Sequence, residues 1–467
     1  MERHVDVAVI GSGTAGLNAF GTVRRAGKNA VLINGGELGT TCARVGCMPS
    51  KVMIQIAEDF HRRHIFNRSG IEGSDNLTID VNESIEQVRD IRDIFVDRVL
   101  GSSTDNMPPE ILIEGYAQLL APDLLEVNGE KIRADKIILC TGSRPVLPVA
   151  WEAFGDKILT TDDLFEQEQL PEKMAVIGLG VIGLELGQSL HRLGIEITGF
   201  DLDNKISGIT DPKVNQMAID TIGKEFPIHL GEAASIERLD NGQLKVSAGE
   251  HSVIVDKVLA SLGRKPNLDK IGLDKIGVKL NENGLPNVNV NTMQIENTTL
   301  YMAGDMTGDK AILHEAGHEG KIAGYNASQT NITAFKRKTP LAITFCDPNI
   351  ASVGQSLSEL NPDNIVIGEI PFAPVGRALI MGKNRGLLRV YADKKDGRLL
   401  GASMVCAHGE HLSHLIAWSI EQKLTVVDML RMPFYHPVLE EALQAALNNT
   451  LDKLDLKFEQ PVDLQVL

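Results

Sequence analysis

Twice in this chain an apolar run stops at a glycine-rich turn, passes into a helix-like stretch and ends in a second apolar run. Val5–Ile10 leads into Gly11-Ser12-Gly13-Thr14-Ala15-Gly16, and Ala30–Ile33 closes that unit. Met174–Ile177 leads into Gly178-Leu179-Gly180-Val181-Ile182-Gly183, and Glu196–Phe200 closes the other. Strand, glycine turn, helix and strand make a βαβ dinucleotide-binding unit, and two copies commit the chain to an α/β fold with Rossmann-like parallel sheets. In each unit the first glycine makes the tight turn. The second lets backbone approach a pyrophosphate, and the third permits close packing of helix on strand. The helix N-terminus then offers N–H groups and the positive end of its dipole to phosphates.

At 467 residues the chain is too long for one compact core, and its length suggests two to four domains. Helical periodicity is expected over Ile54–Phe60 and Ser84–Leu100. After Asp201 the pattern returns to strands, including Val253–Ala260. The C-terminal part mixes strand-like runs, Leu387–Tyr391 and Leu400–Val405, with helix-like ones, His411–Gln422 and Glu440–Leu454. It reads as a third, α+β domain.

A formal net charge of −16 argues against nucleic acid or an anionic membrane as the main partner. No apolar run approaches the roughly 18–20 residues of a membrane span. The first strand begins almost at the N-terminus and leaves no room for a signal peptide, so a cytoplasmic protein is expected. In a reducing compartment a structural disulfide framework is not expected, and of the five cysteines only Cys42 and Cys47 are close in sequence. A structural zinc site would want a second pair or a nearby His at ligand spacing, and the sequence offers none in that order.

Cys42 and Cys47 sit in Gly39-Thr40-Thr41-Cys42-Ala43-Arg44-Val45-Gly46-Cys47-Met48-Pro49-Ser50-Lys51. In regular helix, residues five apart have Cα atoms about 8–9 Å apart, whereas a disulfide wants about 4.4–6.8 Å. Closing such a bond requires a distortion that Gly46 and Pro49 can accommodate. A strained, exposed disulfide is also reducible, as a catalytic one must be.

Cys-x4-Cys-x-Pro-Ser-Lys after a glycine turn resembles the class I pyridine nucleotide–disulfide oxidoreductases, most closely dihydrolipoamide dehydrogenase. Further landmarks fall in the family's order: Cys140-Thr141-Gly142 with Arg144-Pro145, Gly263-Arg264-Lys265-Pro266-Asn267, Ala303-Gly304-Asp305, Phe345-Cys346-Asp347-Pro348, and His436-Pro437 with Glu441. The resemblance implies an FAD-binding domain in two parts, 1–148 and 269–338. It places an NAD-binding domain at 149–268 and a C-terminal dimerisation domain at 339–467.

It also implies roles. Cys47 would face the flavin as a charge-transfer thiolate, and Cys42 would be the interchange thiol that meets substrate. Lys51 would lie near flavin N5 and pair with Glu185. Asp305 would bond the ribityl chain, and Thr41, Ala117, Thr141 and Gly142 would contact FAD. Asn34, Gly263 and Leu313 complete the cofactor-binding set with the six glycines of the two turns. Thiol–disulfide exchange needs a base. His436, with Glu441 as its orienting carboxylate, resembles the family's base, which reaches the disulfide of the other subunit and so implies a homodimer.

Asp201, 18 residues after Gly183, ends the second unit. A carboxylate there accepts bonds from adenosine ribose hydroxyls and repels a 2′-phosphate. NAD is therefore expected over NADP, since Asp201-Leu202-Asp203-Asn204-Lys205 holds one Lys among acids. That preference points to oxidation of protein-bound dihydrolipoyl groups, with a lipoyl-carrying protein as partner. An NADH-dependent reductase of another disulfide, or a flavoprotein subunit that docks a partner complex, are the alternatives. The tail Gln460–Leu467 lacks the cysteine pair typical of mercuric reductase.

The chain departs from the family pattern at Asn34 (usually Glu), Ala43-Arg44 (usually Leu-Asn) and Val438 (usually Thr). Arg44 could lower a thiolate pKa or greet an anionic substrate, or pair with a nearby acid. His408, His411 and His414, at three-residue steps, could face one side of a helix and resemble a metal site. A polar helix start in the dimerisation domain is the preferred reading, and no metal is expected.

Overall fold

The computed structural model describes residues 2–457 and 460–464; the end of the cysteine-free tail, 465–467, lies outside the described residues. The chain folds as two compact units. The first comprises Met1–Val52, Glu86–Val146 and Gly263–Arg337, and the second Met53–Ile85, Leu147–Leu262 and Lys338–Leu467.

In the first unit the strand Glu2–Ile10 pairs in parallel with Ala30–Asn34 on one side and Glu130–Leu139 on the other. Leu300–Met302 adds a further parallel strand beside Ile137–Leu139. The central strands read as apolar runs because both faces are covered. Ala8 and Ile10 belong to one core with Ile33 and Leu139, while Val7 and Val9 belong to another with Leu32 and Ile138. On that second face the helix Leu313–Ser328 lies tightly on Thr14–Arg25. A β-carbon on Gly320 would fall 2.2 Å from the Ala15 carbonyl oxygen, so small residues set the separation.

In the second unit a parallel sheet runs in the order Ile228–Leu230, Glu196–Asp201, Lys173–Ile177, Lys257–Ala260, Ile158–Leu159. The α+β portion is a five-stranded antiparallel sheet, Leu341–Thr344, Asn349–Gly354, Leu399–Cys406, Leu387–Asp393 and Ile365–Pro371. The helices Gly409–Glu421 and Glu441–Leu451 share its core.

Two expectations change. The segment after Asp201 first forms a helix, Pro212–Ile222, capped by Asp211, whose carboxylate accepts the Lys213 and Val214 N–H groups. Proline at the first helical position and Asp before it are the start signal that a strand reading passes over. Val253–Ala260 is two strands rather than one. His251–Val255 joins an antiparallel hairpin sheet, and Lys257–Ala260 joins the parallel one. Asp256 is the corner, its carboxylate accepting the Lys173 N–H (3.0 Å) and the Gln243 amide (3.0 Å).

A buried charged cluster in the second unit has no local sequence signature. Arg192, only 5% exposed, donates to Glu58 (2.5 Å), Glu225 (2.8 Å) and Asp347 (3.2 Å). Lys383 bridges the same Glu58 and Asp347. Each buried charge thus has partners, the condition for keeping it ionised away from water. Beside them, burial and then the Arg192 charge push His61 down to about 4. The unfolded chain's His titrates near 6.5. Between those values the unfolded state binds a proton that the folded state refuses, so stability falls as pH drops through that window. Urea midpoints measured from about pH 7 to about 4.5 should show this slope, and His61→Gln should flatten it. An unchanged slope in the variant contradicts the assignment.

Candidate active site

The two glycine turns have one geometry. Gly11, with φ +106°, has a backbone that L side chains rarely adopt, and a β-carbon there would lie 2.2 Å from the Cys140 carbonyl oxygen. Gly178, with φ +95°, would meet Ser261 oxygen at 2.3 Å. Gly16 and Gly183 would each strike the oxygen of the unit's own first glycine at 1.8 Å. Gly13 and Gly180 differ: nothing lies within 4 Å of a β-carbon built on either. Each is the N-cap of its helix, and neither helix has a side-chain cap. The middle glycines are therefore not required by the protein's own packing. They border open space in front of uncapped helix N–H groups, which is the cradle a pyrophosphate needs.

The residue ending each unit's second strand closes back on its turn. Asn34 Oδ1 accepts the Ser12 N–H (3.3 Å), and Asp201 Oδ2 accepts the Leu179 N–H (2.6 Å). Asn34 thus reproduces with an amide the contact that Asp201 makes with a carboxylate. Its Nδ2 also donates to the Gly36 carbonyl (2.5 Å). Glu37, close in sequence, is engaged elsewhere, in an ion pair with Arg44. That pairing answers one sequence question: Arg44 meets a nearby acid. Lys205 is likewise bridged to Asp203 (3.3 Å), which leaves Asp201 to set the charge at the strand end.

Around the cysteines the chain forms a short helix, Thr41–Val45, and a longer one, Cys47–His61. They are separated by Gly46 at φ −126°, ψ −113°. The distortion is concentrated there, where a β-carbon would approach Thr41 oxygen at 3.1 Å and Cys42 Cα at 3.3 Å. Pro49 instead occupies the first turn of the second helix, where its missing N–H costs no helix bond. The break brings the sulfurs together. The Cys42 thiol is pushed far up, first by its hydrogen bond to the Cys47 side chain, then by burial and by charge on Cys47. The Cys47 backbone N–H and the Lys51 ammonium pull the other way without reversing it. Cys47 is exposed and begins a helix, where the dipole favours an anion. The pair is asymmetric in its setting: Cys42 is half-buried with its thiol pushed up beside Cys47, whereas Cys47 is exposed at the start of a helix.

The separate landmarks 140–145 and 263–267 become one element, a two-stranded ribbon pairing Ser143–Pro145 with Arg264–Pro266. There Ser143 Oγ donates to Asp305 (2.8 Å) while receiving Arg264 Nε (2.8 Å). The Thr141 hydroxyl donates to the Asn267 carbonyl (2.7 Å). Ser143 and Arg264 carry no sequence signal of their own, and only their bonds toward Asp305 bring them to the candidate site. Gly142 (φ +66°) and Gly263 (φ +91°) border open space, Ala117 is buried, and Leu313 starts its helix exposed.

In the second unit, Glu185 is buried and its carboxylate accepts the Phe345 N–H (2.8 Å). His436 is 81% exposed, and its Nδ1 lies 2.8 Å from Glu441 Oε1. Glu441 Oε2 accepts the Val438 N–H (3.0 Å). The hydrogen bond from His436, then that N–H, hold the Glu441 carboxyl below its usual range. An anionic Glu441 keeps the proton on Nδ1 and leaves Nε2 as the basic nitrogen.

The pyridine nucleotide-disulphide oxidoreductase family model matches residues 5–326, and its dimerisation domain matches 341–447. A dihydrolipoyl dehydrogenase of Thermus scotoductus is 30% identical, covering 94% of this chain and 96% of that protein. A mercuric reductase of Lysinibacillus sphaericus is 28% identical, covering 95% of this chain and 82% of its own length. Among solved structures, a Cu(II) complex of the HOCl-induced flavoprotein disulfide reductase RclA of Escherichia coli superposes with a TM-score of 0.83 at 21% identity, covering 96% and 99% of the two chains. The chain belongs to the pyridine nucleotide-disulphide oxidoreductase family, whose members bind FAD and a pyridine nucleotide. No described helix is long and apolar enough to cross a membrane.

The glycine geometry separates packing from ligand binding. Gly16→Ala should cost more than about 4 kcal/mol or prevent folding. Gly13→Ala should leave apoprotein stability within about 1 kcal/mol yet weaken FAD retention. Denaturant melts and flavin content after gel filtration check this, and equal destabilisation by both substitutions contradicts it.

Proposed function

We propose that this flavoprotein disulfide oxidoreductase oxidises protein-bound dihydrolipoyl groups, passing two electrons through Cys42 and Cys47 and FAD to NAD+. The observation that carries the reading is the asymmetric sulfur pair. It is supported by Asp201, a carboxylate where a 2′-phosphate would be repelled, and by the likeness to dihydrolipoyl dehydrogenases over nearly the whole chain.

In the proposed exchange a substrate thiolate attacks the Cys42 sulfur of the Cys42–Cys47 disulfide. The S–S bond breaks and Cys47 leaves as thiolate, the better-stabilised of the two. The second substrate thiolate then attacks the mixed disulfide, releasing cyclic lipoyl disulfide and the Cys42 thiolate. His436 Nε2 takes the proton of the attacking thiol and returns one to Cys42, with Glu441 fixing the imidazole tautomer. The first glycine turn, Asn34, Thr41, Ala117, Thr141, Gly142 and Asp305 would hold FAD in part, and the bound flavin would supply a two-electron relay between dithiol and nicotinamide. Lys51 and Glu185 belong to that set by family pattern. The dimerisation domain supports a homodimer in which His436 serves the partner's sulfurs.

A second reading is favoured by Ala43, Arg44 and Val438: a reductase that carries electrons from NADH to a different disulfide. Steady-state assays with lipoamide, glutathione-type and coenzyme A disulfides, in both directions, separate the two. Rapid NAD+-linked oxidation of dihydrolipoamide is expected, and turnover confined to another disulfide overturns the lipoyl assignment. Cys47→Ser should abolish disulfide turnover under either reading, whereas a subunit that serves only to dock a partner would lose nothing.

Glu441→Gln should lower turnover about 10- to 100-fold and His436→Gln by more, about 10²–10⁴-fold. The Glu441 effect has a sign: its depressed carboxyl keeps His436 oriented above the usual carboxylate range, and the support is lost as pH falls through the lowered value. Glu441→Gln with wild-type turnover at neutral pH contradicts the pairing.

A further inference from the structure

We infer that His408, Glu410 and His411 form a binding site for a borderline divalent transition-metal ion, Cu2+ before Zn2+. One ligand atom from each residue lies within 4.8 Å of the other two. The site is built by a turn, not by helical spacing. The strand Leu399–Cys406 ends, and His408 takes a left-handed conformation (φ +49°, ψ +37°) before the helix Gly409–Glu421 begins. That backbone sets the His408 ring nearly parallel to the His411 ring, at 11° with centroids 5.9 Å apart. Glu410 brings a carboxylate oxygen to 3.4 Å from His411 Nε2.

The turn is held from behind. Asn349 Oδ1 accepts the Glu410 N–H (3.5 Å), and Gly409 packs so closely on Asn349 and Cys406 that a β-carbon would lie 3.3 Å from each. His414 does not join the cluster of ligand atoms within 4.8 Å; its Nδ1 meets the Glu410 carbonyl (2.7 Å). The equal three-residue spacing of the histidines is therefore incidental, and an acid replaces the third imidazole.

Bonds of about 2.0–2.2 Å to a bound ion place ligand atoms about 3.0–3.5 Å apart, so side-chain rotation of little over about 1 Å completes the site. Two imidazoles and one carboxylate suit Cu2+ or Zn2+, whereas Mg2+ and Ca2+ want oxygens alone. Among these ions the same donors bind Cu2+ more tightly than Zn2+. The positive end of the helix opposes a cation, and the Glu410 carboxylate offsets that opposition. His411 is 69% exposed, so remaining coordination positions are open to water or an external donor.

The test uses full-length flavin-loaded protein carrying Cys42→Ser and Cys47→Ser, which removes competing sulfur ligation. Titration with Cu2+, followed by electron paramagnetic resonance, should give one ion per chain with couplings from two imidazole nitrogens. His408→Asn, which keeps a residue tolerant of left-handed backbone, and His411→Gln should each weaken binding at least about 10-fold. The double variant should abolish the signal while the thermal melt stays put. In the otherwise wild-type chain the same two substitutions should leave disulfide turnover unchanged. No saturable binding, or binding unaltered in the double variant, overturns the site.

Discussion

Everything chemical in the first unit depends on one interruption of a helix. If Thr41–His61 ran as a continuous α-helix, Cys42 and Cys47 would stand on different faces, too far apart to share a proton or a bond. Gly46, in a conformation that β-carbons crowd, breaks the path after Val45 and lets a new helix start at Cys47. The break therefore sets two things together, the proximity of the sulfurs and the helix N-terminus under one of them. The Cys42 thiol is pushed up beside its neighbour, while Cys47 has the exposed helix start, so the two sulfurs sit in different surroundings.

The two glycine-turn units are close in geometry and differ in one side-chain group at the strand end. Their glycines meet the same obstacles at nearly the same distances, and both strand-end residues accept an N–H from the turn. What differs is an amide at Asn34 and a carboxylate at Asp201. The amide keeps its turn closed but brings no charge to the strand end, and Glu37 is already paired with Arg44. The carboxylate closes its turn in the same way and adds a negative charge at the strand end.

Much of this was legible because it is local. A glycine turn between an apolar run and a helix, Cys-x4-Cys, and His-Pro-x3-Glu are all short-range patterns whose geometry follows from chain connectivity. What was not legible depends on distance along the chain. Arg192 meets Glu58 from 134 residues away, and Ser143 meets Asp305 from 162. No spacing announces such pairs. Val253–Ala260 misled because apolar alternation continues through Asp256, and only the carboxylate's tie to Lys173 reveals the corner. The helix Pro212–Ile222 was announced by Asp211-Pro212, a start signal outweighed by the strands around it.

The proposed function requires Cys42 and Cys47 to be a reversible two-electron store between substrate and FAD. Anaerobic stepwise reduction of the holoprotein, with thiols counted under denaturing conditions beside the flavin spectrum, tests that store directly. Of five cysteines, three should titrate before reduction, the five less the bonded two, and all five after the first two electrons, with the flavin still oxidised. Bleaching of the flavin by those first two electrons, with the thiol count unchanged, would contradict it.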